Sequence, residues 1–574
     1  MTRRMYRGVV RLAVLSMVTA LVLGACGPSA APPAPAAKDA PATAAPAAKP
    51  AESKPADSTA AKPAESKPAA PAATTAPAAA APAKPADSTA AKPAASAPLA
   101  GTITLAVEAQ ATTLDPQNWA GGSIDTFYTP SVYDSLVGRD NKTKEIIPRL
   151  AKSWERTNDT TWRFKLQEGV KFSNGEPFTA RAVELAVKRL TADGTTALGR
   201  RYFPTLASAN VVDDLTIDLV TKQPDPILPA RTFFLMIGEP GWIEKNLDKI
   251  ESEPAPGTGP YKMAEWQRDQ FMRLTANPDY WGTPKPTIGD VKLAFRRDVT
   301  VRANMVKTGE ANIGFQISAD DVSRMPKTVR QQTVEVAFFK MNTQGGPLDD
   351  IRLRQAVAHA IDVKTIAESI YAGLATPNNA MVGPSAVGYN PDLPPYKYDP
   401  DLAKKLVAEA GGTGKELNFI YRIGWPTRVE EVTEAIADYL GKAGFKVKLV
   451  PMEVAKWNEV NRAGGPGPGK TDMLMSSHGN DLMDSASTFE SYYTCKGLLS
   501  TACFPELENM LGPAVAKGGA ERDQALRAVW KEAADKYATV PLFIFDYVHG
   551  VSDNVEWTPR LDGYVYYNEM KLTR

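Results

Sequence analysis

Residues 417–450 read LNFIYRIGWPTRVEEVTEAIADYLGKAGFKVKLV. The pattern predicts a strand over 417–423, a helix over 429–442 and a second strand over 445–450. Strand, helix and strand in that order make a βαβ unit, which implies a local parallel pair. The neighbouring segments continue the mixture. A helix is expected over 400–410, opened by Pro400 and closed before Gly411-Gly412. Another is expected over 352–371, with Gly373 just past its end. Strands are expected at 102–107, 291–295, 312–317 and 334–341, and a helix at 299–307. Residues 161–166 alternate, with Trp162, Phe164 and Leu166 on one face. Thr179 is placed to cap a helix whose apolar stripe is Ala182, Val183, Ala186, Val187 and Leu190. Residues 211–219 read as a hairpin about Asp213-Asp214. Toward the C-terminus a helix at 521–537 precedes a buried strand at 540–545. Elements mixed in this order predict α/β lobes with mixed sheets.

The N-terminus carries an address. Arg3, Arg4, Arg7 and Arg11 precede an apolar run, residues 12–23, too short to span a bilayer. It ends at Leu23-Gly24-Ala25-Cys26, small residues before a lone cysteine, as in a lipobox. The expectation is a signal peptide over 1–25 and acylation of Cys26, since more than one acyl chain anchors stably. Residues 27 to about 99 are almost entirely Ala, Pro, Lys, Ser, Thr, Glu and Asp, with recurring pieces such as Lys49-Pro50-Ala51-Glu52-Ser53-Lys54-Pro55. Such a segment has no apolar payload to offset the entropy of ordering. Its proline spacing favours polyproline II, which would reach roughly 200 Å if fully extended. It reads as a stalk.

About 475 residues remain, more than one core usually serves, so two or three lobes are expected. A net charge of +1 argues against nucleic-acid binding by charge. With Cys26 acylated, Cys495 and Cys503 form an even remainder, and export favours a disulfide between them over two free thiols. Residues 464–471, GGPGPGKT, match the P-loop expression letter for letter. A P-loop follows a strand and opens a helix, whereas this one follows a helix-like segment (452–463) and precedes a strand-like one (471–476). Two prolines also remove amides that a phosphate cradle needs, so a loop is the better account. The three histidines, His359, His478 and His549, are scattered, with neither a zincin motif nor a nucleophile elbow. A secreted hydrolase is therefore the distant alternative, and no catalytic residue, metal site or cofactor is expected.

Several pieces together carry a family resemblance. They include Ile147-Pro148-Arg149-Leu150-Ala151-Lys152-Ser153-Trp154-Glu155, Gly169-Val170-Lys171-Phe172-Ser173-Asn174-Gly175-Glu176-Pro177 and Gly257-Thr258-Gly259-Pro260-Tyr261. Further along come Asn277-Pro278-Asp279-Tyr280-Trp281-Gly282, Arg352-Leu353-Arg354-Gln355-Ala356 and Tyr398-Asp399-Pro400. In this order, over residues 101–574, the chain resembles family 5 of the bacterial solute-binding proteins, the oligopeptide, dipeptide and nickel binders of ABC importers. Trp154, Trp162, Phe164 and Phe172 read as scaffold.

The resemblance implies a two-lobed periplasmic-binding-protein fold (class II, cluster C-like) with hinge segments and an extra subdomain. The expected plan is lobe 1 over 101–343 with the subdomain at about 146–274, lobe 2 over 344–539, and a return to lobe 1 over 540–574. Crossings are expected near Met341-Asn342 and Val540-Pro541. In peptide-binding relatives an Asp receives the ligand's α-ammonium, and the matching position here is Asp481 in Ser476-Ser477-His478-Gly479-Asn480-Asp481-Leu482-Met483-Asp484. The usual Trp before it is missing, and Ser485 replaces a Pro after Asp484. Other candidate ligand contacts are His478, Asn480, Arg422 (with Arg428 competing), Trp425 and Trp457. The implied role is capture of a short peptide for a membrane permease, by a monomer lipid-anchored outside the cytoplasmic membrane. The alternatives are an oligosaccharide, an opine-like conjugate or a nickel chelate.

Overall fold

The computed structural model describes residues 99–119, 124–462 and 471–573. The signal segment, Cys26, the stalk and most of the P-loop-like stretch lie outside the described residues. Among those described, no helix is long and apolar enough to cross a membrane.

The framework is one mixed sheet. Its strands run Lys446–Met452, Glu416–Arg422, Met473–Gly479, Lys327–Met341, Thr539–Val551, Ile313–Gly314, Ala100–Val107, Ile288–Phe295, Phe271–Ala276 and Tyr261–Gln267, with Ala375–Pro377 also on Thr539–Val551. Glu416–Arg422 and Lys446–Met452 pair in parallel, Glu416 with Lys446 through Arg422 with Met452. Helix Val429–Ala443 makes the crossover and buries Val429, Val432, Ile436 and Leu440 at helical spacing. The βαβ reading therefore holds.

Two long antiparallel strands, Lys327–Met341 and Thr539–Val551, pass through both halves of the molecule. The second pairs with Ile313–Gly314 at its far end, through Gly550 and Val551. The first pairs with Met473–Gly479 from Glu335 to Met341. Their mutual register slips between Gln332 and Val336. An irregularity of this kind bends a strand and redirects its side chains.

The apolar core is divided accordingly. One large cluster joins the strand Ala100–Val107, the segment around the four-stranded sheet and the C-terminal residues Tyr564 to Met570. Two others gather residues between Ala337 and Phe545. The four-stranded antiparallel sheet, in the order Ala151–Asn158, Thr161–Leu166, Thr216–Thr221, Leu206–Asp213, is covered by helix Ala180–Thr191. That helix buries the expected stripe. Thr179 stands at its N-cap position, but its hydroxyl makes no capping bond. Phe164 and Phe172 are buried in the first core, and Trp154 and Trp162 pack against it. Gly257 and Gly259 lie so close to the backbone of Ser131 and Val132 that a β-carbon at either would collide with it.

The single helix expected over 352–371 is two, Ile351–Ala360 and Val363–Tyr371. Ile361 is extended, and the Asp362 carboxylate accepts the amide of Thr365 and opens the second helix. An aspartate inside an apolar helical period acted as a cap rather than as an exposed residue.

Candidate functional site

Between the two halves lies a cavity of about 720 Å³, within the range of small-molecule sites. Its walls come from both sides and from the two long strands: Thr126 and Tyr202 on one side, Trp425 and residues 477–482 on the other, Thr333 to Glu335 and Tyr547 between.

Asp481 follows strand Met473–Gly479 in the loop leading to helix Ala486–Tyr492. The loop is held from two directions. On its own side, buried Asp484 forms a bidentate ion pair with buried Arg522, at 2.7 and 2.9 Å, and also caps the Ala486 amide. From the opposite side, Arg139 donates to the carbonyls of Asp481 (2.9 Å) and Leu482 (3.2 Å). The carbonyl of Arg139 in turn accepts from Arg560, which is ion-paired with Asp562. Leu482 leaves its own half and joins the core cluster of the other. The Asp481 loop thus belongs to one half by sequence and is docked on both.

The Asp481 carboxylate accepts from the Tyr202 hydroxyl at 2.9 Å. Tyr202 is stacked on Phe234, with ring centroids 3.8 Å apart, and accepts from Arg201 at 2.7 Å. Burial pushes the Asp481 carboxyl above the usual carboxylate range, against the lowering effects of Arg201 and the Tyr202 hydrogen bond. A carboxylate in this position gains from an arriving cation.

His478 and Asn480 line the same cavity. The His478 ring lies edge-on to Tyr492, and its Nε2 is 2.9 Å from the Thr488 hydroxyl. Burial lowers its pKa to about 4. Asn480 is 2% exposed; its Oδ1 accepts from the Asp484 amide, and among the described residues its Nδ2 has no hydrogen-bond partner. Trp425 is a wall of the cavity. Arg422 stacks on the Trp425 ring, 5.1 Å from its centroid, and is itself outside the lining. Arg428 is exposed and ion-paired with Glu431. Trp457 does not reach the cavity: it closes a small apolar cluster with Ile420, Val460 and Leu474, and meets Trp425 edge-on. Cys495 and Cys503, beyond helix Ala486–Tyr492, form a disulfide. Among the described residues no group of three or more His, Cys, Asp or Glu is placed to hold a metal ion.

Three lining residues, Tyr202, Glu335 and Tyr547, carry no clear signal of that role in the sequence, nor does Arg139, which holds the Asp481 loop. Tyr202 and Arg139 come from distant segments and carry no local mark. Glu335 and Tyr547 sit on strands that read as plain apolar runs. A lone Glu between Val334 and Val336 was the one available signal.

Two halves gripping one cavity, joined by a pair of long crossing strands, define a two-lobed solute-binding fold. The signature of the bacterial extracellular solute-binding proteins, family 5, middle region, matches residues 145–499. The chain belongs to that family. It is 27% identical over 359 residues to the glutathione-binding protein GsiB of Escherichia coli (strain K12), covering 61% of this chain and 69% of that one. Two solved structures share the fold. NikA from Brucella suis, in complex with Fe(III)-EDTA, has a TM-score of 0.74 at 22% identity and covers 82% of this chain and 100% of its own. DppA from Helicobacter pylori, in complex with the peptide STSA, has a TM-score of 0.69 at 23% identity and covers 83% and 99%.

Proposed function

We propose that this protein captures a short peptide in the cavity between its lobes and delivers it to an ABC permease in the membrane. The observation that carries this reading is Asp481, a carboxylate facing the cavity from a loop clamped at both ends. It receives the peptide's α-ammonium, and Trp425 supplies an aromatic wall. The match to a glutathione-binding protein and the likeness to a peptide complex support the same ligand class. The ligand is bound and handed over unchanged. Acylated Cys26 anchors the monomer outside the cytoplasmic membrane, and the stalk holds it near its permease, raising the effective concentration of the pair. The lobe boundaries lie near 343 and 540, with the subdomain over about 146–274. A chelate or opine-like conjugate is the second reading, favoured by the likeness to the Fe(III)-EDTA complex and by the altered residues around Asp481.

Thermal shifts of the full chain with di- to pentapeptides, sugars and nickel chelates test this. A ligand that binds only the folded state stabilises it by about 2.7 kcal/mol at a hundredfold excess over Kd. Peptides are expected to raise Tm, and Asp481→Ala to abolish the shift. A shift with sugars or chelates alone would sink the peptide assignment and the role of Asp481.

A further inference from the structure

Among the described residues five charged side chains line the cavity: Glu108, Glu335, Asp481, Asp562 and Arg201. The carboxylates differ in what already compensates them. Asp562 is ion-paired with Arg560, both buried. Asp481 faces Arg201 and accepts from Tyr202. Glu108 is exposed, and its charge acts on Arg302 and Arg422. Glu335 is different. Its two oxygens accept from the hydroxyls of Tyr547 (2.6 Å) and Ser477, both neutral donors. Among the described residues no Lys or Arg lies within ion-pair distance of it. The hydroxyls orient the carboxylate without cancelling its charge.

The backbone explains the placement. Glu335 sits where the two long strands slip register, and Thr333 to Glu335 are turned into the cavity. Glu335 pairs with Gly479, two residues before Asp481, which places the two carboxylates within roughly 10 Å of each other. A second observation is independent of charge: among the described residues the buried Nδ2 of Asn480, in the same wall, has no acceptor. A buried donor left unmade is costly, and a ligand carbonyl would satisfy it.

We propose that Glu335 is a second cation-binding position, and that the ligands of this protein are peptides carrying a lysine or arginine side chain as well as a free α-ammonium. The assignment rests on the peptide reading above. The α-ammonium meets Asp481, a peptide carbonyl takes the Asn480 amide, and the side-chain cation meets Glu335 beside Tyr547.

Isothermal titration of the full chain with Ala-Ala-Ala, Ala-Lys-Ala, Ala-Arg-Ala and Ala-citrulline-Ala tests this. Citrulline keeps the shape of arginine and removes its charge. The basic peptides are expected to bind more tightly than the neutral ones by a factor of about ten or more, the scale of one charge-assisted hydrogen bond. In Glu335→Gln that ratio is expected to fall close to unity. Equal affinity for the arginine and citrulline peptides in the wild type would overturn the proposal and leave peptide capture standing; this comparison needs no variant to fold. An undiminished ratio in Glu335→Gln would also overturn it. Should no peptide bind while cadaverine does, and less tightly in Glu335→Gln, peptide capture falls and the cation position stands. If neither peptides nor cadaverine bind, both fall.

Discussion

His549 is fully buried beside the cavity. Its Nδ1 accepts the Gln316 amide at 3.1 Å, so its Nε2 carries the proton and donates to Gln331 at 2.8 Å. Only the neutral ring satisfies both bonds, and burial lowers its pKa to about 3. His478 is held at about 4 for the same reason. The unfolded chain binds a proton at each near pH 6.5, while the folded chain does not until pH 3 to 4. The unfolded state therefore carries more protons in that window. Stability rises with pH there and is lost on acidification, by up to about 1.4 kcal/mol per pH unit for each ring. Urea denaturation between pH 6.5 and 4 is expected to show a shallower fall in His549→Gln than in the wild type. Equal slopes would mean that His549 takes up its proton in the fold over the same pH range as in the unfolded chain.

At the scale of the element, the loop from Asn480 to Ser485 owes its shape to the Asp484–Arg522 pair more than to its own backbone. Both partners are buried, and Arg522 also donates to the Val515 carbonyl, tying the loop to helices Pro505–Val515 and Gly519–Ala534. Removing one member of such a pair leaves an uncompensated buried charge, at about 3–5 kcal/mol. Arg522→Met is expected to lose roughly that much in denaturant unfolding and to weaken ligand binding through Asp481. Adding Asp484→Asn to it should recover part of the loss, because the charge goes with its partner. A double variant no better than the single would show that the helix contact, not the charge, is what matters.

At the scale of the whole molecule, the lobes meet through Arg139 and Leu482. Arg139 reaches across to two carbonyls, and Leu482 enters the opposite core. Contacts that span the two halves favour a shut cleft over an open one in any hinge equilibrium between them. Arg139→Met is expected to raise the radius of gyration of the ligand-free protein in solution scattering. It should also weaken affinity by about a hundredfold, the scale of two hydrogen bonds to a charged donor. An unchanged radius with unchanged affinity would assign Arg139 to static packing.

The local sequence was sufficient for the parts of this protein governed by near neighbours. The βαβ unit at 417–450, the stripe of helix Ala180–Thr191 and the paired Cys495 and Cys503 all follow from spacing, period and cysteine count, and the structure contains each. Asp481 was named through the family resemblance, carried by a contiguous stretch, and it lines the cavity. Local pattern misjudged the helix around Asp362, where capping by one side chain outweighs an unbroken apolar period. It was also silent on Tyr202, Arg139, Glu335 and Tyr547, which are far apart in the chain and meet only when the two long strands bring the lobes together. Trp457 shows the converse. A tryptophan near a binding segment carries the same signal whether it lines a cleft or fills a core, and only the packing of Ile420, Val460 and Leu474 around it decided the matter. Short-range order is set by propensity and period, whereas a cleft is made of long-range contacts whose energies depend on a geometry that no window of sequence contains.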